Sequence, residues 1–333
     1  FFPYKLAKTN SPSNLQISYS GEWLTSKNTE ARPAFTLGLS GITAALVSKA
    51  GALHIVTRYD SLHNYDFNRI RIYCNVTDSI AVPRIEPEEL VEEVSVNTYG
   101  RYIQYTLAEY TDTLSMVVDQ PDSTRLPFQL YGISLENDDP GVVYNTIGVN
   151  GAKFTSYLKC NLFRPQLNSL HPDWVIISIG TNEGYTRSFD LEAYKADYLR
   201  FLDSVRMAAP NAAILLTVPN DSYLFKRYPN TNTAKIREAI CDIAREYGYG
   251  VWDFYTIMGG LNSAATWYNN GLMGKDHIHF NKPGYLLKGD LFFSAFLTSW
   301  DDHLQRQVPT GHPVPACAAA SAGRSSTCLP GVA

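Results

Sequence analysis

The chain has 333 residues, 45% of them hydrophobic and 18% charged, with a formal net charge of −4. That length and composition supply ordinary hydrophobic cores and exclude a disordered chain. The slight acidic balance gives no general attraction to nucleic acid, and no apolar run reaches the roughly 20 residues that span a bilayer.

Residues from about 15 to 135 read as short strands. The segments 35–39, 54–59, 69–73, 101–107 and 128–135 alternate or are β-branched and aromatic, with turn residues between them. Such a run predicts a β-sandwich, jelly-roll-like, over residues 1–138. The cluster Glu86, Glu88, Glu89, Glu92 and Glu93 reads as a solvated acidic face. Five cysteines show no framework spacing. Cys74 sits in a strand pattern and Cys160 and Cys241 in helical patterns, as buried free thiols, while Cys317 and Cys328 lie where they could pair.

From residue 142 the rhythm changes to alternating strand and helix, the signature of a parallel α/β sheet over residues 139–300. A strand at 142–147 leads into Gly148-Val149-Asn150-Gly151 and a helix starting near Ala152. A strand at 174–179 leads into Gly180-Thr181-Asn182-Glu183-Gly184. The next helix has Asp190 as N-cap, an apolar stripe of Leu191, Tyr194, Tyr198, Leu202 and Val205, and Pro210 to stop it. A strand at 213–218 follows. A helix then carries Ile236, Ile240, Ile243 and Tyr247, with Gly248 as its C-terminal cap. A strand at 251–254, a longer loop and a helix from Pro283 to about Trp300 complete the unit. Beyond it, residues 301–333 turn to Pro, Ala, Ser and Gly and predict a disordered tail.

Parallel strands present their C-terminal ends on one edge, where such sheets bind ligands. Gly151, Asn182 and His279 all follow that edge. In Lys275-Asp276-His277-Ile278-His279, an aspartate three residues before a histidine can orient its ring and leave the other nitrogen as a base. A glycine N–H at Gly151 and the Asn182 amide would make two donors for a developing oxyanion. Taken singly, each loop is equally an ordinary strand-to-helix turn. Their order in the chain is what points to a site.

That ordered set resembles the SGNH (GDSL-like) hydrolases, esterases on a flavodoxin-like fold. The resemblance covers about residues 140–298 and implies Gly151 and Asn182 as the oxyanion hole, and His279 and Asp276 as catalytic base and its partner. Glu183 stands where the family usually has aspartate. The β-rich half resembles the sandwich inserted in some secreted polysaccharide acetylesterases of this group. The resemblance therefore implies removal of O-acyl groups, O-acetyl above all, from an acylated polysaccharide or oligosaccharide. It implies a secreted or periplasmic location, no cofactor and no metal.

The family's first block, Gly-Asp-Ser with the nucleophile, is absent in that form. Tyr59-Asp60-Ser61-Leu62 comes nearest, but Tyr replaces the glycine and the pattern after Ser61 turns into a strand, whereas a nucleophile elbow needs a helix. The nucleophile is thus unassigned. The expectation is a block upstream of Phe1, an α/β sheet lacking its first strand, and a chain that is inactive as it stands. Three alternatives remain open. A non-catalytic carbohydrate-binding protein would use some of the 22 tyrosines. An acyltransferase would use the same acyl-enzyme. A metal-dependent hydrolase would need Asp276, His277 and His279 as ligands, an awkward set within four consecutive positions. His54, His63 and His171 read as structural or surface residues.

Overall fold

The computed structural model describes residues 2–3, 6, 15–57, 65–76, 82–120 and 126–307. In the first half the alternating segments become β1 (Leu15–Ser20), β2 (Trp23–Lys27), β3 (Ile42–Leu46), β4 (Ala50–Thr57), β5 (Phe67–Cys74), β6 (Arg84–Glu86), β7 (Val91–Asn97), β8 (Tyr102–Thr111), β9 (Thr113–Asp119) and β10 (Gln129–Glu136). They form two antiparallel sheets, in the orders β1-β4-β9-β6 and β2-β3-β10-β5-β8-β7. Period-two patterning fixes the register. Leu53 faces Met116 and Ile55 faces Leu114 across β4 and β9, all four buried. These side chains share one core with Ile70, Ile72, Ile103 and Leu130 of the second sheet, the packing that a sandwich requires.

One expected strand in this half does not form. Residues 35–39 are an irregular connection whose buried Leu37 and Leu39 enter the core of the α/β half. Its backbone is satisfied from that side. The Leu162 amide donates to the Leu37 carbonyl (3.1 Å), and the Leu39 amide donates to Gln166 Oε1 (2.7 Å). With these groups already bonded, no neighbouring strand is needed. The candidate Ser61 lies outside the described residues.

The second half contains α1 (Phe154–Tyr157), α2 (Phe163–Ser169), β11 (Trp174–Ile177), α3 (Thr181–Gly184), α4 (Leu191–Ala208), β12 (Ala213–Thr217), β13 (Tyr223–Leu224), β14 (Tyr228–Pro229), α5 (Asn232–Tyr247), β15 (Gly250–Trp252), α6 (Phe254–Met258), α7 (Ser263–Asn269) and α8 (Lys282–Gln307). β11, β12 and β15 are parallel and adjacent in that order, with Val175 beside Ile214 and Leu216 beside Val251. Local signals explain the helix ends. The Asp190 carboxylate accepts from the Ala193 amide at the start of α4, and Gly248 closes α5 in the left-handed conformation at φ 71°. The stripe of α4 is buried through Tyr194, Tyr198, Leu202 and Val205, whereas Tyr247 of α5 is exposed. Cys160 lies between α1 and α2, not in a helix, and the thiols of Cys74 and Cys160 are buried and free.

The strand expected at 142–147 is also absent. Residues 142–147 carry no strand pairing, and Val142 and Tyr144 are 95% and 77% exposed. The cause is the partner, not the propensity. A strand exists only in a ladder, and in the flavodoxin-like order 2-1-3-4-5 this segment's one neighbour is the first strand. Among the described residues β11 pairs only with β12, so its other edge is free. α8 runs beyond the expected end at Trp300 to Gln307 and leaves Leu286, Phe293 and Trp300 more than half exposed. No helix among the described residues is long and apolar enough to cross a membrane.

α8 is seated through a backbone contact that admits no side chain. A Cβ added at Gly284 would lie 1.9 Å from the Leu272 carbonyl oxygen, while Gly289, further along the same helix, faces open space. Gly284→Ala should therefore cost roughly 1–3 kcal/mol, the range for forced overpacking. Gly289→Ala should be neutral or slightly stabilising through helix propensity. Urea denaturation of both variants checks the contrast, and equal midpoints would contradict it.

Candidate active site

The loop after α7 closes into a tight turn. The Gly274 amide donates to the His279 carbonyl (2.8 Å), and the His277 amide donates to the Gly274 carbonyl (3.0 Å). Asp276 organises the interior of this turn. Its Oδ1 accepts from the amides of Ile278 (2.9 Å) and His279 (3.0 Å), and its Oδ2 lies 2.7 Å from His279 Nδ1. Burial alone would raise the Asp276 pKa. The bonds from the His279 ring and from the two amides outweigh it and hold the carboxyl at about 2. A carboxylate on Nδ1 assigns the proton to that nitrogen and leaves Nε2 as an acceptor. The His279 side chain is 70% exposed, so the ring is open to solvent.

Asp276 and His279 are brought together as the spacing implied, but His277 is turned away. Its backbone adopts φ 53°, and its ring stacks on Tyr223 (4.8 Å between centroids) and lies tilted against Tyr268 (4.5 Å). Asp276, His277 and His279 therefore do not converge on a metal, and no cluster of three potential ligands occurs among the described residues. His54 instead lies 2.9 Å from Ser115 Oγ through Nδ1, a structural contact within its sheet.

The other two loops are joined to each other. Gly151 is exposed and adopts φ 81°, which suits glycine, and a Cβ there would meet only Thr29 at 3.9 Å. One N–H of the Asn182 amide donates to the Ala152 carbonyl (2.9 Å), leaving its second N–H uncommitted among the described residues. Gly180, at φ 139°, approaches Pro219 so closely that an added Cβ would lie 2.9 Å from its ring, and the neighbouring Asn220 donates to the Ile278 carbonyl (3.2 Å). Contacts thus run from Ala152 through Asn182, Gly180, Pro219 and Asn220 to the turn that holds His279.

Glu183 has a role that the sequence reading did not assign. Its Oε1 accepts from the Phe154 amide (2.8 Å) at the start of α1, so it ties the loop after β11 to the segment after Gly151. Its Oε2 is buried without a hydrogen-bond partner, as are the hydroxyls of Tyr194 and Tyr198. Burial pushes the Glu183 carboxyl above its ordinary pKa, against the pull of the Phe154 amide. The one available signal was an acidic residue directly after Asn182. Its partner is a backbone amide 29 positions away, which no spacing reveals.

Residues 99–287 match the model of the GDSL-like lipase/acylhydrolase family. No curated protein sequence matches the chain. Among solved structures, a peptidoglycan O-acetylesterase is similar over 90% of this chain and 80% of its own, at 19% identity and a TM-score of 0.67. A lipase/acylhydrolase from Enterococcus faecalis covers 43% of this chain and 69% of its own, at 20% identity and a TM-score of 0.34. A family two carbohydrate esterase from Clostridium thermocellum covers 70% and 89%, at 10% identity and a TM-score of 0.28. At these identities the first of them shows a shared fold.

The raised pKa of Glu183 has a definite sign in stability. The folded state holds its proton more tightly than the unfolded chain, so stability falls as pH rises from the ordinary carboxylate pKa through the folded one. Glu183→Gln keeps an acceptor for the Phe154 amide and removes the charge. Its unfolding free energy should lose less than that of the parent protein between about pH 4 and about pH 8. Urea denaturation across that interval checks this, and an unchanged slope would show that Glu183 is not the buried titrating group.

Proposed function

The chain belongs to the GDSL-like lipase/acylhydrolase family, and from that premise we propose a serine esterase that removes O-acyl groups, principally O-acetyl, from carbohydrate outside the cytoplasm. The observation that carries this reading is the Asp276–His279 pair, with Nδ1 held at 2.7 Å by the carboxylate and the ring exposed. The similar peptidoglycan O-acetylesterase, over 90% of the chain, supports the acyl group and the substrate class.

In this reading His279 Nε2 takes the proton of a serine hydroxyl as that oxygen attacks the ester carbonyl. Asp276 stabilises the imidazolium that results, without itself accepting the proton. The carbonyl oxygen becomes an oxyanion that receives the Gly151 N–H and the free Asn182 N–H. Collapse of the tetrahedral intermediate expels the sugar hydroxyl, protonated by His279, and leaves an acyl-serine that water hydrolyses by the same steps.

We propose that the serine lies on a strand-to-helix segment outside the described residues and other than that of Ser61, seated along the edge of β11 that no described strand pairs. Three features support the assignment. Among the described residues β11 is paired on one side only, residues 142–147 have no ladder, and exposed apolar side chains of α8 flank Trp174 through Phe296. Hydrogen bonds of the His279 ring run, among the described residues, only to Asp276.

In the complete protein, acetate release from acetylated glycans and from p-nitrophenyl acetate should fall to near background in His279→Ala. In Asn182→Ala it should fall by roughly 10²–10³, the range for one lost oxyanion donor. A folded His279→Ala that retains turnover would sink the base assignment. A fluorophosphonate probe should leave residues 1–333 alone unlabelled. Stoichiometric labelling at Ser61, lost in Ser61→Ala, would overturn the assignment of the nucleophile to another segment.

A further inference from the structure

The hairpin of β13 and β14 is fastened to both arms of the candidate site. At its base the Tyr223 amide donates to the His277 carbonyl (3.0 Å), two residues before His279. At its tip the Phe225 amide donates to the hydroxyl of Tyr185 (3.0 Å), three residues after Asn182. The tip itself is a turn closed by the Arg227 amide on the Leu224 carbonyl (3.0 Å), with Phe225 and Lys226 at φ 54° and 60°. Left-handed backbone is ordinarily left to Gly or Asn at such positions. Here it directs a large aromatic side chain and a lysine outward, and both are exposed.

The surface so built is aromatic and cationic. The ring of Phe225 lies 5.4 Å from that of Tyr185, and the Arg187 guanidinium sits 5.0 Å over Phe225. Arg227 sits 5.4 Å over Tyr228, which is 49% exposed. Arg187, Lys226 and Arg227 form no ion pair with a carboxylate among the described residues. The nearest acidic residues in the chain are committed elsewhere. Asp190 caps α4, and Asp221 is fully buried and accepts from the Ala264 amide. A chain of net charge −4 thus concentrates, beside three aromatic rings on the rim between Asn182 and His279, three cations that pair with no carboxylate among the described residues.

Exposed aromatic rings such as Phe225 and Tyr228 offer faces to the C–H surface of a sugar, and clustered cations select and steer an anionic partner. We propose that this rim is a binding subsite for a polysaccharide whose sugar rings carry anionic groups, holding the anionic sugar beside the one that bears the ester. The proposal rests on the carbohydrate-esterase reading for its substrate class, but its test does not require turnover.

The probe is oligogalacturonate, compared with its methyl ester, which has the same rings and no charge. Titration calorimetry on the 333-residue chain should show the carboxylate form binding at least about 10-fold more tightly, an advantage that salt screens out. The triple variant Arg187→Gln, Lys226→Gln, Arg227→Gln should lose that preference at an unchanged urea midpoint, because all three side chains are exposed. Arg187→Lys with Lys226→Arg should keep it. Phe225→Ala should weaken both forms alike. Equal binding of the two forms, or a preference that survives the triple variant, would overturn the proposal. If the charge preference appears but the complete protein releases no acetate, the esterase reading fails and the subsite stands.

Discussion

The site depends on two hydrogen bonds between loops that the sheet does not hold together. In a complete parallel sheet, neighbouring strands would fix the spacing of the loops at their C-terminal ends. Here residues 142–147 belong to no ladder, so Gly151 has no strand behind it. Its position is set from the other side, by Asn182 on the Ala152 carbonyl and Glu183 on the Phe154 amide. The second partner opens α1, and its Phe154 side chain is fully buried and stacks on Tyr198 of α4 at 4.3 Å. The bonds are directional and partly buried, so they define a geometry that apolar packing alone would leave loose.

A different device fixes the His279 ring. Asp276 saturates its carboxylate with two amides and the His279 ring, so the turn and the ring orientation are one unit. His277 contributes from the outside, its ring clasped by Tyr223 and Tyr268 while its neighbour Ile278 is held by Asn220. The two units meet where Pro219 packs on Gly180. The loop between β12 and β13 therefore serves as the bridge from the Asn182 loop to the turn that holds His279. The β-rich half joins this framework through Leu37 and Leu39, whose backbone bonds go to Leu162 and Gln166 beside α2.

Much of this was legible in the residues. Short alternating segments gave the two antiparallel sheets, and the 3.6-residue stripe with Asp190 gave α4, because local periodicity and caps are written in neighbouring positions. Asp276 and His279 could be paired from sequence because three residues is the length of the turn that joins them. The two failures at 35–39 and 142–147 share a cause. Both have strand-like side chains, but a strand is defined by its partner's hydrogen bonds, and propensity does not say whether a partner is present. Cys160 misled in a smaller way, since a helical pattern continued across the break between α1 and α2.

What the sequence determined alone was the set of elements with local causes, the order of the three loops, and the Asp276–His279 couple. Tertiary structure alone decided which groups those loops bond across distance. It put Glu183 on a backbone amide, turned His277 between two tyrosines, and left β11 paired on one side only among the described residues. It also set the hairpin tip of Phe225 and Lys226 against Tyr185. The physical reason is that hydrogen bonds and ring stacks between segments depend on where the chain returns, and no neighbouring residue records that.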